Sequence, residues 1–399
     1  MQKKLIALAV AGLASTAAFA QTNVTIYGLV DYGYAYRWDG RDAGSAINNA
    51  GQTVRSSGTP NSQSQLNGGQ SLGNRIGFKG TEDLGNGLKA VFLLEQGFML
   101  DTGTQQTSGS QFTRQAYMGL SGNFGTVVGG RLYTPHYTFV SGLDPFGAGT
   151  VGRYNNVYSN FPTLGNTGNV GDPVRVDNAV AYISPSFLGG LTATLAYSNN
   201  AAGQEEASST SANNTVYAGL LKYDNGPITV GVNYHYINAG SRLSDATPTV
   251  LGIKSVQNAT LGGSYDFKVV KVMALYSWNE TDFTVNPVFT GRTSGNATIN
   301  NYMLGATAPF GKFVGKASYI YSDGNTTAGG DAQQFALGLD YNLSKRTAVY
   351  SAYSFIDNSD SRMAAVGDAS NVGTYSASNG YALQGVFQQG VQVGVRHSF

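Results

Sequence analysis

The sequence predicts an all-β protein, a 16-stranded antiparallel barrel that crosses a membrane. Sixteen segments alternate apolar and polar residues with a period of two. Their connections are short and long in turn. No run of eighteen apolar residues follows residue 20, so a membrane must be crossed by strands. Lipid offers no partner to an open sheet edge, so those strands must close on themselves.

The N-terminus sets the compartment. Lys3 and Lys4 are followed by an apolar run over 5–13 and by Ala18-Phe19-Ala20, a small-x-small cleavage pattern. The expectation is a secretory signal peptide over 1–20 and a single barrel domain over 21–399. The apolar run is too short to span a bilayer.

Composition narrows the class. Charged residues are 12% of the chain, against about 25% in soluble proteins. Glycine is 54 of 399 residues, and Tyr (25) outnumbers Phe (19). Low charge and many tyrosines suit a lipid-facing surface with aromatic rims. The 24 basic residues less Lys3 and Lys4 leave 22 against 23 acidic ones, so bulk charge gives no reason to expect a nucleic-acid partner. There is no cysteine, which excludes thiol catalysis and Cys-based zinc sites.

The first strand is expected over 24–38. One face carries Val24, Ile26, Val30, Tyr32, Tyr34 and Tyr36, and the other Thr25, Tyr27, Asp31 and Arg37. That pattern fits lipid on one side and water on the other. Further strands are expected near 71–83, 88–100, 112–123, 125–135, 175–185, 191–200, 215–224, 228–239, 256–268, 270–281, 298–310, 313–323, 332–343, 347–358 and 388–399. Short turns such as Leu84-Gly85-Asn86-Gly87 alternate with long loops at 39–70, 101–111, 136–174, 201–214, 240–255, 282–297, 324–331 and 359–387. Periplasmic turns on one side and extracellular loops on the other have this asymmetry. In the last strand Val391, Val393, Val395, His397 and Phe399 share a face. It must pair with the first strand, or the barrel stays open.

Several motifs in order resemble the general porins of β-proteobacteria over essentially the whole chain. They are Val24-Thr25-Ile26-Tyr27-Gly28, the run Asn74-Arg75-Ile76-Gly77-Phe78-Lys79-Gly80-Thr81-Glu82-Asp83-Leu84-Gly85, Gly129-Gly130-Arg131, Asp144-Pro145-Phe146-Gly147, the stretch 178–190, and Arg396-His397-Ser398-Phe399. The resemblance implies an outer-membrane location and a homotrimer surrounded by outer-membrane lipids. It also implies a water-filled pore for ions and small hydrophilic solutes, without a cofactor. The third extracellular loop, here 136–174, is implied to fold into the pore as its constriction. Phe399, His397 and Val395 resemble the signal that the barrel-assembly machinery recognises.

Strand parity sets Arg37, Arg75, Lys79, Arg114 and Arg131 opposite the apolar positions. A lipid-facing Arg or Lys at mid-bilayer costs about 2–4 kcal/mol, which a watery lumen removes. The resemblance implies a basic wall of these residues facing acids of the third loop, for which Asp144 and Asp172 are the candidates. The start of that loop, 136–143, has no acidic residue, so weak anion selectivity is expected. The three histidines, His136, His235 and His397, are scattered and form neither an evident triad nor a metal site, so no enzyme and no metal are expected. Two other readings compete with a general pore. One is a solute-specific channel using Tyr27, Tyr137, Tyr154, Tyr158 and Phe161. The other is a surface receptor working through the loops.

Overall fold

The computed structural model describes residues 23–40, 45–48, 53–55, 62–158, 173–201, 213–238, 252–284, 295–325, 330–359, 362, 364–367, 369, 381–382 and 387–399. The leader expected over 1–20, Asp172 and Phe161 lie outside them.

Sixteen strands form the wall. They are β1 (Asn23–Gly40), β2 (Arg75–Gly85), β3 (Leu88–Gly97), β4 (Gln115–Gly122), β5 (Gly125–Tyr133), β6 (Arg175–Ile183), β7 (Leu191–Ser198), β8 (Thr215–Asn225), β9 (Ile228–Asn238), β10 (Gly252–Asp266), β11 (Lys271–Thr284), β12 (Gly295–Phe310), β13 (Phe313–Gly324), β14 (Ala332–Asn342), β15 (Thr347–Asn358) and β16 (Phe387–Ser398). Each pairs antiparallel with its neighbour in sequence, and β16 pairs with β1 from Ser398 opposite Leu29 to Phe387 opposite Gly40. Closure leaves no free edge, which lipid requires. Among the described residues no helix is long and apolar enough to cross a membrane.

The alternation in the sequence becomes inside and outside. On β1 Val24, Ile26, Tyr32 and Tyr34 are exposed, while Asp31, Gly33, Ala35 and Arg37 are buried. Outward aromatic rings gather at both rims. Tyr197–Tyr217 and Tyr276–Tyr302, each 5.2 Å between centroids, stand towards the long loops. Tyr265–Phe267 at 4.5 Å and Phe313–Tyr341 at 4.8 Å stand by the short turns. At the turn between β2 and β3, Asn86 (φ 52°) and Gly87 (φ 77°) both take the left-handed conformation of a tight hairpin.

Strand β2 starts later than the pattern predicts, as does β4, which begins at Gln115 where 112 was expected. β2 was expected from 71 but begins at Arg75. A short strand, Ser62–Gly68, instead pairs with the outer half of β1, within the stretch expected as loop. Residues 69–74 then leave the wall and turn inward. The Asp31 carboxylate accepts the backbone N–H groups of Ser71 (3.1 Å) and Leu72 (3.0 Å), and Asn74 Oδ1 accepts the N–H of Asp31 at 2.6 Å. Gln70 donates to the Gly33 carbonyl at 2.9 Å. Local polar bonds here replace the ladder that periodicity alone anticipates.

Candidate pore constriction

The third loop begins with a helix, α1 (Pro135–Leu143). Thr134 caps it by accepting the N–H of Tyr137 at 3.1 Å, and Pro135 stands in the first turn, where its missing N–H is harmless. Phe139, Val140, Leu143, Phe146, Val151 and Tyr154 bury their side chains against Leu220, Leu275, Met303, Ile320, Ala336 and Ile356 of the barrel wall. The main apolar core is thus loop against wall.

Glycines on that wall make the trench. A Cβ at Gly231 would lie 2.8 Å from the Phe139 ring, at Gly262 2.6 Å from Leu143 Cδ1, and at Gly305 2.6 Å from Pro145 Cγ. Glycine inside a strand marks such close approaches. Gly262→Leu is therefore expected to push the loop off the wall, with an overpacking cost of about 1–3 kcal/mol, and to lower single-channel conductance. Conductance of the refolded variant checks this.

Beyond the helix the loop satisfies its own backbone. The Asp144 carboxylate accepts the N–H groups of Phe146 (3.0 Å), Ala148 (2.9 Å) and Tyr154 (3.1 Å). Asp144 is 5% exposed, and burial pushes its carboxyl up to about 6 although these donors and Lys316 pull it down. Side-chain amides then tie the loop down. Gln392 accepts the Val151 N–H at 3.0 Å and donates to Gln70 at 2.7 Å. Gln334 donates to the Gly152 carbonyl at 3.0 Å and accepts from Asn156 at 2.9 Å. Ala364 and Val366, from the segment after β15, join the same core, and Arg362 donates to the Val157 carbonyl at 3.2 Å. Burial lowers the Arg362 guanidinium to about 10.

Three arginines meet where α1 leaves β5. Tyr133 Oη accepts from Arg114 at 2.7 Å and from Arg175 at 2.9 Å. The Arg175 guanidinium lies 4.6 Å from the Tyr133 ring centroid, and that ring stacks on Tyr137 at 5.1 Å. Arg114 pairs with Glu95 at 2.8 Å, and Tyr27 donates to the other Glu95 oxygen at 2.8 Å. Arg75 is close enough to Arg114 and Glu95 to feel both charges. Its buried Nε has no partner among the described residues. Three guanidiniums therefore gather here, and among the described residues Glu95 is paired with one of them, Arg114.

The expected site residues divide. Arg75 and Arg114 belong to this cluster. Lys79 lies on the same face of β2, further towards the short turns. Arg37 does not join them: it is buried near the long-loop end of β1 and donates to Gln63 and Gln65. Arg131 does not join either. It stands opposite Ala116, in the row of Met118 and Leu120, and pairs with Asp177 while donating to the Thr113 carbonyl. β5 alternates regularly here, with Val127 and Gly129 exposed and Val128 and Leu132 buried, so Arg131 falls on the outward row; the register shift beside it puts its extra residue on β6, where Asn178 has φ 48°. Asp144 was expected as a lumen acid facing the arginines. The structure corrects this, because its carboxylate is buried in the loop's own turn. Arg175 was missed. Its signal was an Arg at the first position of the strand that follows the long loop.

The remaining candidates pack. Tyr154 and Tyr158 are fully buried and pin the loop to the wall. His136 bonds Tyr158 Oη at 3.0 Å and meets His235 edge-on at 5.0 Å. Among the described residues no cluster of three metal-ligating side chains occurs. His397 bonds Thr347 at 2.9 Å, Val395 faces outward, and the Phe399 carbonyl accepts the Gly28 N–H at 3.1 Å.

Comparison with known proteins agrees with this architecture. The model of the Gram-negative porin family matches residues 7–361. Outer membrane porin protein 32 of Delftia acidovorans is 34% identical over 100% of both chains. An outer membrane porin protein of Bordetella pertussis is 33% identical, covering 92% of this chain and 98% of its own. The solved anion-selective porin from Comamonas acidovorans superposes with a TM-score of 0.73 at 31% identity, covering 95% of this chain and 100% of that one. A trimer form of OmpT from Vibrio cholerae, 14% identical with a TM-score of 0.59 over 95% of this chain and 99% of that one, shares the fold.

Proposed function

The chain belongs to the Gram-negative porin family and forms a passive diffusion channel through the bacterial outer membrane; from that premise we propose that Arg75, Arg114 and Arg175 make the channel weakly anion-selective. The observation that carries this is the surplus of guanidinium charge around Tyr133, with Glu95 as the one paired carboxylate among the described residues. Rows of Arg favour anions in pores. The loop from α1 to residue 158 occupies the wall from β8 to β15, so solutes pass between it and the arginine wall. That loop is the constriction in this reading, and Lys79 extends the basic path towards the periplasm.

The solved relative from Comamonas acidovorans, described as anion-selective, supports the same sign. The proposal also includes a homotrimer, a signal peptide over 1–20 and handling of the Phe399 end by the barrel-assembly machinery. The family is one of channels, and a lack of catalytic activity in this chain belongs to the proposal too.

Planar-bilayer recording under a KCl gradient tests it. Discrete steps with a reversal potential on the chloride side are expected, and steps closing in threes are expected from a trimer. A reversal potential on the potassium side would overturn the selectivity. The preference should weaken between 0.1 and 1 M salt, as the screening length falls from about 10 Å to about 3 Å.

A further inference from the structure

We propose that the lumen wall carries a subsite for amphiphilic monocarboxylates, periplasmic of the arginine cluster, with Lys79 holding the carboxylate and Leu93 and Val91 the apolar part. It deepens the anion-favouring reading and rests on it.

The observation is a cavity of about 370 Å³ lined by Thr25, Lys79, Thr81, Val91, Leu93 and Tyr117 among others. These residues come from four adjacent strands and share the inner face. Thr25, Lys79, Leu93 and Tyr117 are successive cross-strand partners, and Thr81 pairs with Val91 one step nearer the short turns. Arg75 stands four residues from Lys79 on β2, about 13 Å along the strand at the usual rise. A solute leaving the arginines towards the periplasm meets this niche next.

Two features set the niche apart from the rest of the wall. Lys79 is exposed and forms no ion pair among the described residues; its ammonium lies 5.4 Å from the Tyr27 ring centroid. Beside it stand two aliphatic side chains, Val91 and Leu93, that line the same cavity. Val91 and Tyr117 lean on a buried cluster around Val128, but Leu93 lies outside that cluster and stays partly exposed. Val91 is thus packed against that cluster, and Leu93 is the aliphatic side chain of the niche that does not belong to it. A cation, two threonine hydroxyls and an apolar ledge together suit an anion with a hydrocarbon flank. Chloride and acetate use the cation alone.

The test is block of single-channel current in KCl by benzoate, with acetate as the anion lacking the flank. Refolded wild type, Lys79→Gln and Leu93→Asn are compared, each first shown to form channels, with Leu93→Ala held as a milder second variant. Half-block by benzoate is expected at a concentration lower than that of acetate by about tenfold, from the apolar area covered. Leu93→Asn should bring the two anions together, and Lys79→Gln should weaken block by both. Equal block by the two anions in wild type overturns the subsite, as does a benzoate preference that survives both substitutions. The chloride reversal potential from the same recordings tests the anion-favouring channel separately, so the two readings fail in different measurements.

Discussion

Replacing Arg175 with Gln should lower the anion-over-cation permeability ratio by about tenfold at low salt. The magnitude follows from Coulomb's law: one charge about 6 Å from a permeating ion in a water-like medium changes its energy by about 0.7 kcal/mol. That is a factor of about three for an anion and an opposite factor of about three for a cation, which multiply in the ratio. Arg175 is the most informative of the three arginines because no carboxylate pairs with it among the described residues. Its partners are the Tyr133 hydroxyl and the Tyr133 ring. Arg114→Gln should act in the same direction with an added structural cost. It leaves Glu95 buried at 3% exposure with only the Tyr27 hydroxyl as a side-chain hydrogen-bond donor among the described residues. Breaking a buried pair from one side costs about 3–5 kcal/mol. Reversal potentials in a KCl gradient check both variants, and an unchanged Arg175→Gln ratio would remove the arginine cluster from the selectivity argument.

Asp144→Ala should release the constriction loop. Three backbone N–H groups, those of Phe146, Ala148 and Tyr154, lose their acceptor at once. A buried donor left without a partner costs about 1–3 kcal/mol, so the loop loses about 3 kcal/mol or more. The barrel's strand ladder does not use these bonds, so the channel should still form while its current becomes noisier. Hydrogen exchange at those three amides should speed up by more than about a hundredfold, since each 1.4 kcal/mol is a factor of ten.

The same carboxyl gives the loop a pH dependence of definite sign. Its folded value, about 6, lies above the ordinary 3.8, chiefly because burial disfavours the charged form. The folded loop therefore holds the proton more tightly than the released one. The resulting stabilisation is fully present below about pH 4 and is lost as the pH rises through about 6. Exchange at the three amides should slow on acidification through that window once the intrinsic rate is removed, and Asp144→Asn should flatten the response.

The residues expected to make the constriction show where one-dimensional reading stops. The inward facing of Arg75 could be read because β2 keeps one register from Arg75 to Asp83, so parity is geometry there. Arg131 was misplaced because β5 carries two valines in a row, Val127 and Val128, so its apolar face cannot be read from the residues; Arg131 shares the outward row of Val127 and Gly129. Asp144 was read as a lumen acid because it is acidic and lies in the loop. Its role as an acceptor for three local N–H groups depends on a turn that no periodicity encodes. Arg175 needed the knowledge that it comes beside Arg114 through a shared tyrosine hydroxyl.

What the sequence determined by itself is the barrel. A period of two repeated sixteen times, short turns against long loops, and an apolar-to-aromatic face are local signals, and lipid leaves closure as their only outcome. The tertiary structure alone decided the interior. The third loop lies in a trench whose glycines, at 231, 262 and 305, are scattered in sequence; Gly231 and Gly262 meet as cross-strand partners, and Gly305 lies two strands further round the wall. Its anchors are glutamines 70, 334 and 392, brought from opposite ends of the chain. The reason is the range of the forces. Strand alternation is set by neighbours along the chain, whereas loop packing and charge clustering are set by neighbours that exist only once the barrel has closed.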